Sequence, residues 1–232
     1  CEMAMGLALL FGFTLPINFY SPYKSRNVSE FWKRWHITLG AFLRDYLYIP
    51  LGGSHKGPAR LMIALMVTML LGGLWHGAGW QFLLWGGLHG LFLVIFNIWR
   101  TTGIQLPKVI AVSITLMCVV FAWVPFRAET ISDALMIWEA MVSPSSYEHL
   151  PLIAAIMSDL LSDSLTAVKS VFVGWELPVL LFGLMFCVQQ RNIHDRIEDF
   201  KVSIKPLLAY AAMACISIAI MGRPSTFIYT QF

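Results

Sequence analysis

Residues 61–99 read LMIALMVTMLLGGLWHGAGWQFLLWGGLHGLFLVIFNIW, without a single Asp, Glu, Lys or Arg. A membrane-crossing helix needs about 20 such residues, so this stretch is long enough to cross twice. Gly72-Gly73 and Gly77-Ala78-Gly79 interrupt it, which predicts a hairpin or a pair of short, broken helices with an irregular centre. The rest of the chain has the same character. Its 232 residues are 58% hydrophobic and 12% charged, with a mean hydropathy of +0.69. Soluble domains run near 25% charged, and a chain of this size cannot hide that much apolar surface from water. The solvent is therefore lipid. An aromatic content of 14%, with 17 Gly and 11 Pro, suits membrane helices with interfacial belts and breaks. The fold class expected is all-α: a polytopic transmembrane helical protein with broken or re-entrant helices and an amphipathic cytoplasmic helix, one membrane domain over 1–232.

Apolar runs place candidate spans at 3–20, 61–76, 79–99, 108–124, 173–190 and 206–222. Cytoplasmic loops collect Lys and Arg, and three gaps do so: 21–60, 100–108 and 191–205 hold thirteen of the sixteen basic residues. The 125–172 segment is acidic by comparison, carrying Glu129, Asp133, Glu139, Glu148, Asp159 and Asp163, and is expected to be exoplasmic. The alternation closes if 61–99 crosses twice with both ends inside.

The basic segment 21–60 does not span, because Lys33, Arg34, Arg44 and Asp45 break any apolar run. It still reads as helical over 27–47. Asn27 followed three residues later by Glu30 imitates a capping box, and Phe31, Trp35, Leu39, Phe42 and Tyr46 recur at helical spacing. The spacing predicts one amphipathic helix, with His36 between the apolar stripe and a basic side made by Lys33 and Arg44. Such a helix lies on the inner surface or dips in.

Several motifs fail on their spacing. Gly52-Gly53-Ser54-His55-Lys56-Gly57 lacks the spacing of a phosphate loop and, with Lys56 in the fifth position, that of a hydrolase elbow; it reads as a turn. Asn27-Val28-Ser29 fits a glycosylation sequon but sits in the most basic loop, and is read as chance. Cys1, Cys118, Cys187 and Cys215 are scattered without metal-type spacing, so no metal site is expected. A net charge of +3 is too small to imply nucleic acid. The opening on Cys1, with neither initiator Met nor basic leader, reads as a piece of a longer protein.

Histidines in apolar runs carry more information, because an imidazole in lipid must find a partner or a function. His76, among Gly72, Gly73, Gly77, Ala78 and Gly79, has room around its ring. His89, in Gly86-Gly87-Leu88-His89-Gly90, reads equally as packing or function. The pair is thirteen residues apart, which raises axial haem ligation, but that needs a second pair; His36, His55, His149 and His194 all lie in polar segments. A transporter or channel subunit is the other alternative, prompted by the glycine-broken helices.

Three stretches carry a resemblance to a known family. Phe31-Trp32-Lys33-Arg34-Trp35-His36-Ile37-Thr38-Leu39, Arg44-Asp45-Tyr46-Leu47-Tyr48-Ile49-Pro50-Leu51-Gly52-Gly53, and Leu70-Leu71-Gly72-Gly73-Leu74-Trp75-His76-Gly77-Ala78 resemble the membrane-bound O-acyltransferase family. The middle wording looks like its alginate O-acetyltransferase branch, which includes peptidoglycan acetylating proteins, more than the D-alanyl-lipoteichoic acid branch. Phe121-Ala122-Trp123-Val124-Pro125-Phe126-Arg127-Ala128 and Phe227-Ile228-Tyr229-Thr230-Gln231-Phe232 resemble its C-terminal half, with Thr230 where an aromatic is common. The resemblance implies a bacterial inner-membrane, multi-pass enzyme. It would move an acetyl group from a cytoplasmic thioester, acetyl-CoA, to an extracytoplasmic polysaccharide, with a periplasmic partner protein and no cofactor; transfer of D-alanyl or another acyl group is the neighbouring possibility. It also implies that an N-terminal set of helices precedes this stretch. By the same resemblance His36 and His76 are the functional histidines, His76 catalytic, and Trp75, Trp35, Arg34, Arg44 and Asp45 are substrate-binding candidates. The Trp75 N–H or a nearby backbone amide is expected to stabilise a developing oxyanion, and Lys33, Arg34 and Arg44 to attract an anionic donor.

Overall fold

The structure is a computed structural model. It describes residues 1–142, with Asn192, His194, Asp195 and Cys215 as isolated points beyond. The chain divides into two compact units, Cys1–Gln190 and Arg191–Phe232, and the continuous described stretch falls within the first. Its elements are helical throughout: α1 (Glu2–Leu10), a 3-10 turn at Pro22–Lys24, α2 (Val28–Arg34), α3 (Ile37–Leu43), a π turn at Arg44–Tyr48, α4 (Pro58–His76), α5 (Trp80–Thr101), α6 (Lys108–Arg127) and α7 (Ile131–Val142). Three of them, α4, α5 and α6, are long and apolar enough to cross a membrane. The expected spans at 173–190 and, apart from Cys215, 206–222, and residues 143–172 of the exoplasmic segment, lie outside the described residues.

The 61–99 stretch is a hairpin of two full-length helices. Its break falls at Gly77–Gly79, as the glycines there suggested, but Gly72-Gly73 lies within regular α4. These glycines serve close approach instead. A Cβ on Gly73 would strike the Phe82 carbonyl oxygen, one on Gly86 the Met69 carbonyl oxygen, and one on Gly90 the Met66 sulfur. Without a hydrophobic force between helices in lipid, van der Waals contact of closely approaching backbones is what holds such a pair.

The 3–20 run is not one spanning helix. Helix α1 has nine residues, too short to cross, and stops in a glycine-capped turn: Gly12 takes φ +79°, the Phe13 N–H reaches the Ala8 carbonyl and the Gly12 N–H that of Leu9. In α6, Pro125 cannot donate to the Phe121 carbonyl one turn back. Trp138 of α7 supplies the missing donor through its indole N–H at 3.1 Å and stacks on Phe121 at 4.5 Å.

The basic segment departs most from expectation. The single helix predicted over 27–47 is two helices and a π turn, broken where Trp35 is extended (φ −103°, ψ 125°) and His36 is left-handed (φ +45°, ψ +57°). Its start is as expected: Asn27 Oδ1 accepts the Glu30 N–H at 2.8 Å, while the Glu30 carboxylate turns to the Arg26 N–H rather than to Asn27. The break has a tertiary cause. The Tyr20 N–H donates to the Arg34 carbonyl, the Asn18 carbonyl accepts the Ile37 N–H, and Asn18 Oδ1 accepts both the N–H and the hydroxyl of Thr38. Residues 18–20 thus claim the groups a continuous helix would use internally.

The segment also folds against the spans. Val28 is buried with Met69 and Leu93, Trp32 and Leu65 pack on them, and Leu43 fills the space above Gly72. The expected apolar stripe is divided accordingly: Phe31 is buried and Trp35 stacks on it at 5.6 Å, whereas Phe42 and Tyr46 are exposed.

Candidate functional site

His76 ends α4, one residue before the glycine turn. Its ring sits among Trp75 (4.8 Å), Trp85 of α5 (5.1 Å) and Phe126 of α6 (5.1 Å), all near perpendicular. His36 arrives from the break between α2 and α3. It lies beside Phe19, and its neighbour Trp35 packs on Phe19, Phe31 and Trp123, three residues before Phe126 on α6. Two histidines forty positions apart in sequence thus border one aromatic enclosure, whose rings run in contact from Phe19 beside His36 through Trp35, Phe31, His89 and Trp85 to His76.

His36 is held there against its own backbone preference. A left-handed non-glycine residue costs on the order of 1–3 kcal/mol, and such outliers gather at functional sites. Its Nδ1 is buried without a hydrogen-bond partner among the described residues. Burial holds this imidazole below its usual range, opposed by a hydrogen bond to its own backbone. An imidazole with an open nitrogen can accept or deliver a proton.

His89 is a different case. It is 1% exposed and its Nδ1 accepts the Trp32 indole N–H at 3.3 Å. It is a satisfied packing histidine, joining α2 to α5. That partner favours the packing alternative of the two left open by the sequence.

The other candidates separate. Trp75 adjoins His76 but is 61% exposed. Arg34 is tied to Glu30 at 2.8 Å, leans on the Tyr20 carbonyl at 3.4 Å and stands over the Tyr20 ring. Arg44 pairs with its neighbour Asp45 at 2.7 Å on an exposed face; the hydrogen bond from Arg44 holds the Asp45 carboxyl below the usual carboxylate range. Arg44 and Lys33 line a common cleft of about 310 Å³ between α2, α3, the π turn, α4 and α5. Its walls are mostly apolar, with Ile37, which follows His36, among them.

The residue that the sequence reading did not single out is Trp85. It is 5% exposed, and its indole N–H has no partner among the described residues. Leaving such a group unpaired costs about 1–3 kcal/mol. One signal could have found it: a hairpin turning at 77–79 brings residue 85 back toward residue 76. The ring's surroundings carry no such local signal. Phe126, 5.2 Å from the Trp85 ring and 5.1 Å from the His76 ring, closes the enclosure from α6.

Comparison with known proteins gives this geometry a family. Residues 1–126 match the family model described as MBOAT, membrane-bound O-acyltransferase family. The peptidoglycan O-acetyltransferase of Helicobacter pylori is 38% identical over 200 residues, which cover 83% of this chain and 38% of that protein. The probable alginate O-acetylase AlgI of Pseudomonas putida is 46% identical over 143 residues, covering 61% of this chain and 30% of the relative. The teichoic acid D-alanyltransferase of Streptococcus thermophilus is 33% identical over 103 residues, covering 41% and 25%. The matched stretches thus span well under half of each of these relatives. With the family model covering more than half of the sequence, and the matched region containing α1 to α5, nearly all of α6 and both enclosed histidines, the chain belongs to the membrane-bound O-acyltransferase family.

Proposed function

We propose that the protein acts in a bacterial inner membrane as an O-acetyltransferase, moving an acetyl group from acetyl-CoA on the cytoplasmic side to hydroxyls of an extracytoplasmic polysaccharide, or to a periplasmic relay protein. The observation that carries this reading is that His36 and His76 border one aromatic enclosure, connected ring to ring through Phe19, Trp35, Phe31, His89 and Trp85. The relatives named for acetyl transfer to peptidoglycan and alginate, at 38% and 46% identity, favour acetyl over D-alanyl as the group moved.

The chemistry follows from the placement. An imidazole has an ordinary pKa near 6.5 and is mostly neutral at pH 7. His76 takes the proton of the acceptor hydroxyl as that oxygen attacks the thioester carbonyl carbon. The tetrahedral intermediate then collapses, the carbon–sulfur bond breaks, and the leaving thiolate takes its proton from the imidazolium. His36 orients the donor from the other wall. The cleft bearing Lys33 and Arg44 suits a donor with an anionic head and an extended stem, by charge attraction at its rim and apolar contact within. Orientation follows the charges: Lys56, Arg60, Arg100 and Lys108 lie at or beside the Pro58, Thr101 and Lys108 ends of the three long helices, which are taken as cytoplasmic.

A positioned general base contributes roughly 10²–10⁴ in rate. His76→Ala in the protein in its native membrane should therefore abolish detectable acetylation, read by mass spectrometry of ester-linked acetate on cell-wall and exopolysaccharide fractions, without lowering membrane abundance. Near-normal turnover by His76→Gln would overturn the reading, because the ring would then only pack.

A further inference from the structure

The aromatic enclosure pairs its indole N–H groups selectively. The Trp32 N–H is given to His89. That of Trp85, buried one turn before His89 and 4.9 Å from its ring, is given to nothing among the described residues. Packing alone does not require it, since a phenyl ring fills an apolar site without burying a donor. Nor is Trp85 free to swing away: the next residue, Gly86, is pressed against the Met69 carbonyl, which pins this part of α5 to α4. A fixed, buried donor beside a general base is what an acyl-transfer site needs where charge develops.

Building on the acyl-transfer reading above, we infer that Trp85 donates its indole N–H to the carbonyl oxygen of the acyl group in transfer, so that it, rather than the exposed Trp75, stabilises the oxyanion. As the acceptor oxygen bonds to the carbonyl carbon, the π electron pair moves onto the carbonyl oxygen, which Trp85 holds while His76 carries the hydroxyl proton. Collapse returns that pair to the carbonyl and expels the thiolate, which is protonated by His76.

The test replaces Trp85 with 3-benzothienylalanine, which keeps the bicyclic shape and puts sulfur where the N–H was, in the protein in its native membrane. Acetyl transfer from acetyl-CoA should lose about 10²–10³ in kcat, with KM for donor and acceptor and membrane abundance unchanged. Trp85→Phe should show the same loss in kcat. Wild-type kcat in the benzothienyl variant would overturn the inference, as would a fall in activity that tracks a fall in abundance. His76→Ala, assayed alongside, separates the two levels: if it is inactive while the benzothienyl variant is fully active, only the role of Trp85 falls; if it is active, the acyl-transfer reading falls with it.

Discussion

The α4–α5 hairpin and the segment from Asn18 to Gly57 contribute the two histidines of the candidate site, yet they are built on opposite principles. The hairpin is regular helix on both sides of a glycine turn, held by backbones that touch at Gly73, Gly86 and Gly90. The segment before it is irregular, held by polar groups from residues distant in sequence: Asn18 and Tyr20 on the ends of the break, Trp32 on His89, with Arg34 on Glu30 nearby. The hairpin supplies rigidity and His76. The segment supplies a strained residue and an irregular wall, which places His36 where no continuous helix would carry it. One side of the candidate site is thus set by helix packing and the other by hydrogen bonds between residues apart in sequence.

The contrast stands or falls first on His36→Gly. Glycine adopts the left-handed conformation freely, so the fold should be retained or gain stability, while acetylation falls by about 10²-fold or more if the imidazole takes part in the transfer. His36→Ala should lose the same activity but stay about 1–2 kcal/mol less stable than His36→Gly, because alanine keeps the left-handed cost that glycine removes. Thermal unfolding in detergent, read beside acetate release, checks both. An active His36→Gly would mean that the break matters only for shape.

On the hairpin side, two adjacent glycines give opposite expectations. Gly86→Ala drives a methyl into the Met69 carbonyl and should destabilise the helix pair by about 1–3 kcal/mol. Gly87→Ala meets only the Leu70 side chain at 3.6 Å, an ordinary contact, and should be near neutral. Equal effects at the two positions would show that the close seam does not hold the hairpin.

The smallest effect separates two arginines that the sequence grouped together. Arg44 lines the cleft and Arg34 is engaged with Glu30. Arg44→Gln should raise the donor KM by a few-fold, on the order expected of an exposed charge contact, and leave the acceptor KM unchanged. Arg34→Gln should instead lower stability with little change in either KM. Steady-state kinetics in membrane vesicles, varying acetyl-CoA and acceptor in turn, distinguish them.

Much of the hairpin was legible from the chain alone. An uncharged run long enough for two crossings, with glycines at its middle, has few folded solutions in lipid, because every backbone group must be satisfied within the segment. The stop after α1 was equally local, resting on Gly12, though the apolar run through it suggested a longer helix. The start of α2 followed from Asn27 and Glu30, whose side chains reach only their immediate neighbours. His36 and His76 were both marked as candidates, the first by its place beside a basic stripe and the second by its glycine-rich surroundings.

Solvent, the two hairpin helices and the candidacy of His36 and His76 were therefore written in the chain, since each depends on spacing and transfer energy along a few turns. Packing settled the rest. It broke the amphipathic helix at Trp35 and His36, because Asn18 and Tyr20 offer the backbone better-placed partners than the helix itself; it assigned His89 to packing by bringing Trp32 against it; and it left the Trp85 N–H open beside His76. A hydrogen bond between groups far apart in sequence leaves no periodicity to read, and an unmade one leaves still less, so both become visible only when the helices are packed.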